Sequence, residues 1–271
     1  MTETDTIKTN GLMAGKRGLI MGVANNHSIA WGIAEALHKE GAELAFSYQA
    51  GPLGRRATSL GESIGSTLFV ECSVDVPGDI DNLFDEIKKQ WGSIDFVVHA
   101  LAFSDRNELN GQYVDTTRDN FTNTMIISCF SFTEVAKRAA ELMTEGGSMI
   151  TLSYSGSTRV VPRYNVMGVA KAALEASVRY LAADLGPRGI RVNTLSPGPM
   201  RTMAGAAIAD GRTIFKYMEN LSPLGRNPTL QEVGGSAVYL LSDAGGGVTG
   251  QNLLVDCGVT SVAMPKIENL E

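Results

Sequence analysis

Seven short apolar runs, at residues 17–21, 43–48, 67–71, 95–99, 148–153, 191–196 and 252–255, limit what this chain can fold into. Each is too short for an ordinary helix and nearly continuous in its apolar character, as a strand buried on both faces must be. Amphipathic stretches at 29–39, 79–91, 118–143, 170–184 and 231–241 separate most of them. A parallel sheet covered by helices on both faces buries all of these surfaces together. The expected fold is α/β: one doubly wound Rossmann-type parallel sheet of about seven strands, with ligands received at the strands' carboxyl ends.

No Pro/Ser-rich linker or internal repeat divides the chain, so residues 1–271 read as one domain. Within it, 1–14 form a polar arm, 201–228 an insertion and 262–271 a tail. The insertion carries Gly205, Gly211 and Gly225 among short helical pieces, and it follows the sixth strand. Long irregular inserts are uncommon in compact domains and often functional, which favours a lid over a plain surface excursion. A net charge of −6, from 23 basic and 29 acidic residues, supplies no footprint for nucleic acid and no attraction to an anionic membrane. Cys72, Cys129 and Cys257 are isolated, and His27, His38 and His99 lack ligand spacing, so neither a disulfide framework nor a metal is expected. The N-terminus has no apolar signal segment and no long apolar span follows, so a soluble, cytoplasmic protein is expected.

The first strand leads into Gly22-Val23-Ala24-Asn25-Asn26-His27-Ser28-Ile29-Ala30-Trp31-Gly32, which is not GxGxxG. Gly22 still allows close backbone approach to a pyrophosphate at a helix N-terminus. Ser28 can cap that helix and offer its hydroxyl to phosphate, and Gly32 lets helix and strand pack closely. A tight turn without a ligand is the ordinary alternative; the place after the first strand favours a dinucleotide. Gln49 ends the second strand, where an acid would select the ribose of NAD and an Arg the phosphate of NADP. A neutral Gln favours NADH, while Arg55 and Arg56 leave NADPH open.

Tyr164 and Lys171 stand seven residues apart. On a helix that spacing places both on nearly one face, roughly 10 Å apart. The ammonium could hold a cofactor ribose while the phenol hydrogen-bonds a reacting oxygen. Most short-chain dehydrogenases set their Tyr four residues before the Lys, where this chain has Met167, and Tyr154 stands near their usual Ser slot. A carbonyl reductase built this way lacks its proton donor.

With Leu152-Ser153-Tyr154, the run from Tyr164 to Lys171, Arg191-Val192-Asn193 and Gly198-Pro199-Met200-Arg201-Thr202, the chain resembles the bacterial NADH-dependent enoyl-acyl-carrier-protein reductases. These are a divergent branch of the short-chain dehydrogenase superfamily, and the likeness runs from about Gly15 to Gly258. It implies reduction of the 2,3 double bond of trans-2-enoyl-acyl-carrier-protein thioesters by NADH, the last reductive step of bacterial type II fatty-acid elongation. It further implies a homotetramer with acyl carrier protein as partner. Carried over by position, Gly22, Ser28 and Ile29 match the pyrophosphate turn, Gln49 an adenosine contact and Leu101 a contact near the nicotinamide. Lys171 matches the ribose anchor, and Met200, Arg201, Thr202, Met203 and Ala204 match the segment along nicotinamide and pyrophosphate. Tyr154 and Tyr164 match the two active-site tyrosines, and Ser104 falls close to the substrate.

Three positions depart from the family pattern. Ser73 stands where many relatives carry Asp, so the Ser73 hydroxyl, the Val74 backbone or Asp75 must meet the adenine amino group. Ala102 replaces a Gly and Pro197 an Ala of some relatives. In the implied reaction, hydride at C3 puts negative charge on the thioester oxygen, where the Tyr164 phenol donates. Tyr154 is open to shaping the acyl channel, orienting the thioester, relaying a proton or simply packing. Met203, Ala206, Ala207, Ile208, Ile214, Phe215 and Met218 of the insertion suit an acyl channel or ordinary packing equally. Arg201, Arg212 and Lys216 are candidates to receive the acidic carrier protein. The competing readings are a carbonyl or alcohol dehydrogenase and a non-catalytic dinucleotide sensor.

Overall fold

Each of the seven apolar runs forms a strand, and all seven lie parallel in one sheet. The structure is a computed structural model that describes residues 11–202 and 211–265. The strands are β1 (Arg17–Met21), β2 (Glu43–Tyr48), β3 (Leu68–Glu71), β4 (Phe96–His99), β5 (Gly147–Leu152), β6 (Ile190–Pro197) and β7 (Asn252–Val255). They are ordered β3-β2-β1-β4-β5-β6-β7, a Rossmann-type topology. The order reverses between β1 and β4, which opens a crevice at their carboxyl ends, where ligands of such sheets bind.

Consecutive strand residues point to opposite faces and so serve two cores. Leu19, Val97, Met149 and Val192 face α3 (Asp79–Trp91), α6 (Ser131–Leu142) and α7 (Val166–Leu185). Their neighbours Ile20, Val98 and Ile150, with Leu195, face α1 (Ile29–Lys39) and α9 (Leu230–Leu241). Full burial of each such aliphatic side chain contributes about 1.5–3 kcal/mol, so these two cores hold the sheet behind the crevice firmly in place. Among the described residues no helix is long and apolar enough to cross a membrane.

Two elements differ from the sequence expectation. Helix α2 (Pro52–Ser63) buries just Gly54, Ala57 and Gly61, a face of small residues without an apolar stripe. That small face lies over Phe46 and Phe69, whose stacked rings are 5.9 Å apart. The stretch expected as one helix at 118–143 is three pieces: α5 (Arg118–Met125), a π-helical turn (Ile126–Phe130) and α6. Ser131 Oγ donates to the Ile127 carbonyl inside that turn at 2.7 Å. A short α4 (Arg106–Leu109) and, within the insertion, α8 (Gly211–Leu221) complete the elements used below.

Candidate active site

The turn between β1 and α1 presses against the end of β4. Gly22 has φ 99°, and a Cβ on it would run into the Ala100 carbonyl oxygen. Ser28 occupies the N-cap position of α1 but does not cap it. Its Oγ instead accepts from the N–H groups of Ala24 and Asn25, both at 3.0 Å, and closes the turn. Both oxygen lone pairs are thereby used, and the remaining O–H has a long contact of 3.4 Å to Asn25 Oδ1. The expected cap is thus corrected, while a donor hydroxyl and helix N–H groups free of Ser28's side chain remain beside Gly22. Ile29 opens the helix, half-buried against the core.

The ends of β2 and β3 meet on the other side of the switch point, where Cys72 N–H donates to the Tyr48 carbonyl at 2.9 Å. Gln49, the next residue, is exposed. Ser73 donates its hydroxyl to Asp75 Oδ1 at 2.7 Å, and its N–H donates to Asp79 Oδ2 at 2.9 Å. The carboxylate missing at position 73 is therefore present two residues later. Burial, helped by Asp79 and Asp75, pushes the Cys72 thiol up to about 12. Val74 is buried, and Leu101 lies half-buried just past β4.

Lys171 sits in the second turn of α7, 5% exposed, with Nζ donating to the Leu152 carbonyl at 2.7 Å. Burial pulls its pKa down to about 8, and the neighbouring Cys129 and Glu175 oppose that fall. Tyr164 is not on the helix. Helix α7 begins at Val166, and Asn165 between them has φ 39°. The expectation of one helical face for Tyr164 and Lys171 is corrected accordingly. Asn165 Nδ2 donates to the carbonyls of Glu108, Leu109 and Gly111 at 3.2, 3.2 and 2.9 Å, which holds the left-handed residue in place. The Tyr164 ring lies edge-on to Tyr154, with centroids 5.1 Å apart and planes at 68°. It fills the space a side chain at Gly156 would need. Burial first, and Tyr154 second, raise the Tyr164 phenol well above the usual range, so it stays protonated. Burial raises Tyr154 as well, against a hydrogen bond to Ser155. Met167, in the usual Tyr slot, is buried, with its sulfur 3.7 Å from Ser128 Oγ. The slot holds a thioether where most of the superfamily holds an acid.

A family model described as enoyl-(acyl carrier protein) reductase matches residues 22–260. Over 261 residues the chain is 62% identical to enoyl-[acyl-carrier-protein] reductase [NADH] 2 of Rhizobium meliloti (strain 1021), covering 96% of this chain and 97% of that one. The chain belongs to the enoyl-acyl-carrier-protein reductase family. A solved structure of the reductase from Anaplasma phagocytophilum, in complex with NAD, has a TM-score of 0.91 at 54% identity and covers 94% of this chain and 98% of its own. The Bacillus cereus reductase, solved with NADP+ and indole naphthyridinone, has a TM-score of 0.92 at 47% identity, covering 93% and 99%.

Around this reductase site the structure adds residues that spacing did not single out. Ser128, in the π-helical turn, accepts from Phe103 N–H at 2.9 Å and donates to its carbonyl at 3.1 Å, fixing the loop after β4. Ser104 in that loop donates to Asn120 Oδ1 at 3.2 Å. His99 is fully buried between Thr151 Oγ1 at 3.0 Å and Ser131 Oγ at 2.9 Å. Because Ser131 gives its proton to Ile127, His99 Nε2 is the donor and Nδ1 accepts from Thr151. Burial first and Lys171 second pull His99 down to about 3, so it is neutral. Ser128 left no signal because its role arises from the π-turn, which the helical pattern conceals, and His99 left none because its partners, Thr151 on β5 and Ser131 on α6, are distant in sequence.

On the insertion side, Met200 is half-buried, and Thr202 N–H donates to its carbonyl at 2.9 Å. The Arg201 guanidinium sits 4.8 Å above the Phe215 ring. Lys216 pairs with Glu219 at 3.4 Å, and Ile214, Phe215 and Met218 are half-buried on α8. Met203, Ala204, Ala206, Ala207 and Ile208 lie outside the described residues, as does the side chain of Arg212. Among the described residues there is no cluster of metal-binding side chains.

Proposed function

We propose that this chain reduces the 2,3 double bond of trans-2-enoyl-acyl-carrier-protein thioesters with NADH, the last reductive step of type II fatty-acid elongation. The observation that carries this reading is a buried phenol and a buried ammonium flanking a slot filled by Met167. The residues present fit the dinucleotide: Gly22 leaves the cradle a Cβ would fill, and the Ser28 hydroxyl and the first turn of α1 offer donors to a pyrophosphate. Ser28, Ile29 and Gly22 would hold the pyrophosphate, with Gln49, Ser73 and Val74 around the adenosine. Leu101, Met200, Arg201, Thr202, Met203 and Ala204 would lie along the nicotinamide half. When bound, NADH supplies the hydride received at C3 of the enoyl thioester. Lys171 holds the nicotinamide ribose and keeps a positive field beside the reacting oxygen.

Tyr164 meets the negative charge that develops on the thioester oxygen, and a proton taken up at C2 then completes the reduction. Its high pKa keeps the proton in place before reaction and makes it a hydrogen-bond donor rather than a competing anion. Tyr154, edge-on to that ring, orients the phenol and borders the acyl channel. Ser104 stands beside the substrate. Residues 1–271 act as one reductase domain whose insertion, 201–228, closes over the acyl chain, and the working form is a homotetramer. Acyl carrier protein docks beside the insertion at Arg201, Arg212 and Lys216. Two of these already have partners, Phe215 and Glu219, so the docking charge is shared rather than free.

The deciding assay follows NADH absorbance. Oxidation with crotonyl-CoA, and none with ketones or acetoacetyl thioesters, is expected. Turnover of the carbonyl substrates instead would establish the dehydrogenase reading, and binding without any turnover the sensor reading. Reversing the charges of Arg212 and Lys216 should raise KM for a carrier-bound substrate more than for a CoA thioester; equal effects would remove the docking assignment.

A further inference from the structure

Helix α7 holds the end of β5 at two consecutive residues. Lys171 Nζ donates to the Leu152 carbonyl at 2.7 Å. One helical turn later, Glu175 Oε1 accepts from the hydroxyl of Ser153 at 2.5 Å. The same oxygen accepts from Asn252 Nδ2, at the start of β7, at 3.1 Å. Side chains four apart on a helix share a face, which is why both reach the same strand end. Ser153 is 5% exposed, and its N–H donates to the Leu195 carbonyl on β6 at 2.9 Å. Tyr154, whose ring meets Tyr164, is the very next residue.

We infer that Glu175 is a positioning residue of the reductase site, holding Ser153 so that the Leu152 carbonyl faces Lys171 and Tyr154 faces Tyr164. The inference rests on the roles proposed above for Lys171 and Tyr164. Glu175 acts in two ways that can be separated. Its hydrogen bond fixes the strand end from which both the Leu152 carbonyl and the Tyr154 ring are presented. Its charge favours the protonated form of Lys171. The other titratable groups set against Lys171 are Cys129 in the π-turn and His99 on β4. Burial keeps Cys129 a thiol and His99 neutral, so Glu175 supplies the carboxylate that opposes proton loss.

The test uses the full chain with three substitutions: Glu175→Gln, Glu175→Ala and Ser153→Ala. Each is measured by NADH titration at pH values on both sides of about 8, by kcat and KM on crotonyl-CoA, and by Tm. Removing the charge lowers the pKa of Lys171 further, so in both Glu175 variants NADH affinity should begin to fall at lower pH. Ser153→Ala keeps the charge and should lower kcat without moving that midpoint. Glu175→Ala should do both, with kcat down roughly tenfold, and Glu175→Gln, which keeps an acceptor oxygen, should recover most of kcat. An unmoved midpoint in both Glu175 variants, or a loss of kcat that merely follows Tm, overturns the inference. Lys171→Ala serves as the control. Wild-type NADH binding there would sink the underlying reading, whereas impaired binding there with wild-type Glu175 variants would sink this inference by itself.

Discussion

The two ends of the crevice are built on opposite principles. At the β2–β3 end, Gln49 is exposed, and Ser73 is tied to the exposed Asp75. At the β4–β5 end, Tyr164 and Lys171 are buried, and burial is the leading cause of both pKa shifts. Water screens any contact made at the first end, so it can be altered at small cost. The second end is removed from water, where one hydrogen bond or one proton changes the outcome by orders of magnitude.

This contrast is broken most sharply at Tyr164. Tyr164→Phe should cut turnover of enoyl thioesters by roughly 100-fold or more while NADH binding survives. An unchanged rate would remove the phenol from the reaction. Next is Lys171→Ala, expected to weaken NADH binding by about 10–100-fold, the scale of a charge-assisted hydrogen bond. Wild-type titration behaviour would contradict its role as anchor.

Lys171 also predicts opposite pH trends for binding and stability. Its proton is held to about 8 when folded and to 10.5 in the ordinary state. Between those values the unfolded chain binds more protons, so this residue's contribution to the stability of the cofactor-free protein rises with pH. NADH affinity should fall across the same window. Denaturant melts of the wild type and Lys171→Met, compared at pH values below and above about 8, check the first trend. Equal pH dependence in the two proteins would show that Lys171 does not carry it.

The smallest effect belongs to the exposed end. Ser73→Asp should change the NADH dissociation constant by less than about fivefold, because Asp75 already supplies a carboxylate in a solvated setting. A much larger gain in affinity would mean that Asp75 does not substitute, and would give the adenine end more weight than its exposure suggests.

The strands were legible in the sequence because a buried parallel sheet demands continuous apolar runs, and Leu19–Ile20 or Val97–Val98 can be read in no other economical way. Helix α2 was not, because a contact made by glycines and an alanine leaves no hydrophobic period. The π-turn escaped for the converse reason: one extra residue per turn hardly disturbs an apolar pattern already read as helix. Within the site, residue types were readable and connections were not. Ser28 looked like a cap because caps are Ser, yet which N–H its oxygen meets depends on the path of five turn residues. The likeness to a known family located Tyr154, but its edge-on contact with Tyr164 required three-dimensional packing to see.

Asn165 gives the active site an adjustable joint. A tyrosine mounted on a helix can change its offset from a neighbouring lysine only in increments of about 1.5 Å along the axis and 100° around it. Tyr164 instead rides on a segment pinned by one amide to the carbonyls of residues 108, 109 and 111. The phenol is thereby aimed by the loop as well as by the helix that carries the cation, whose Met167 N–H donates to the Tyr164 carbonyl at 2.9 Å. Changes in the 108–111 loop would therefore re-aim the phenol while Lys171 stays bound to the Leu152 carbonyl.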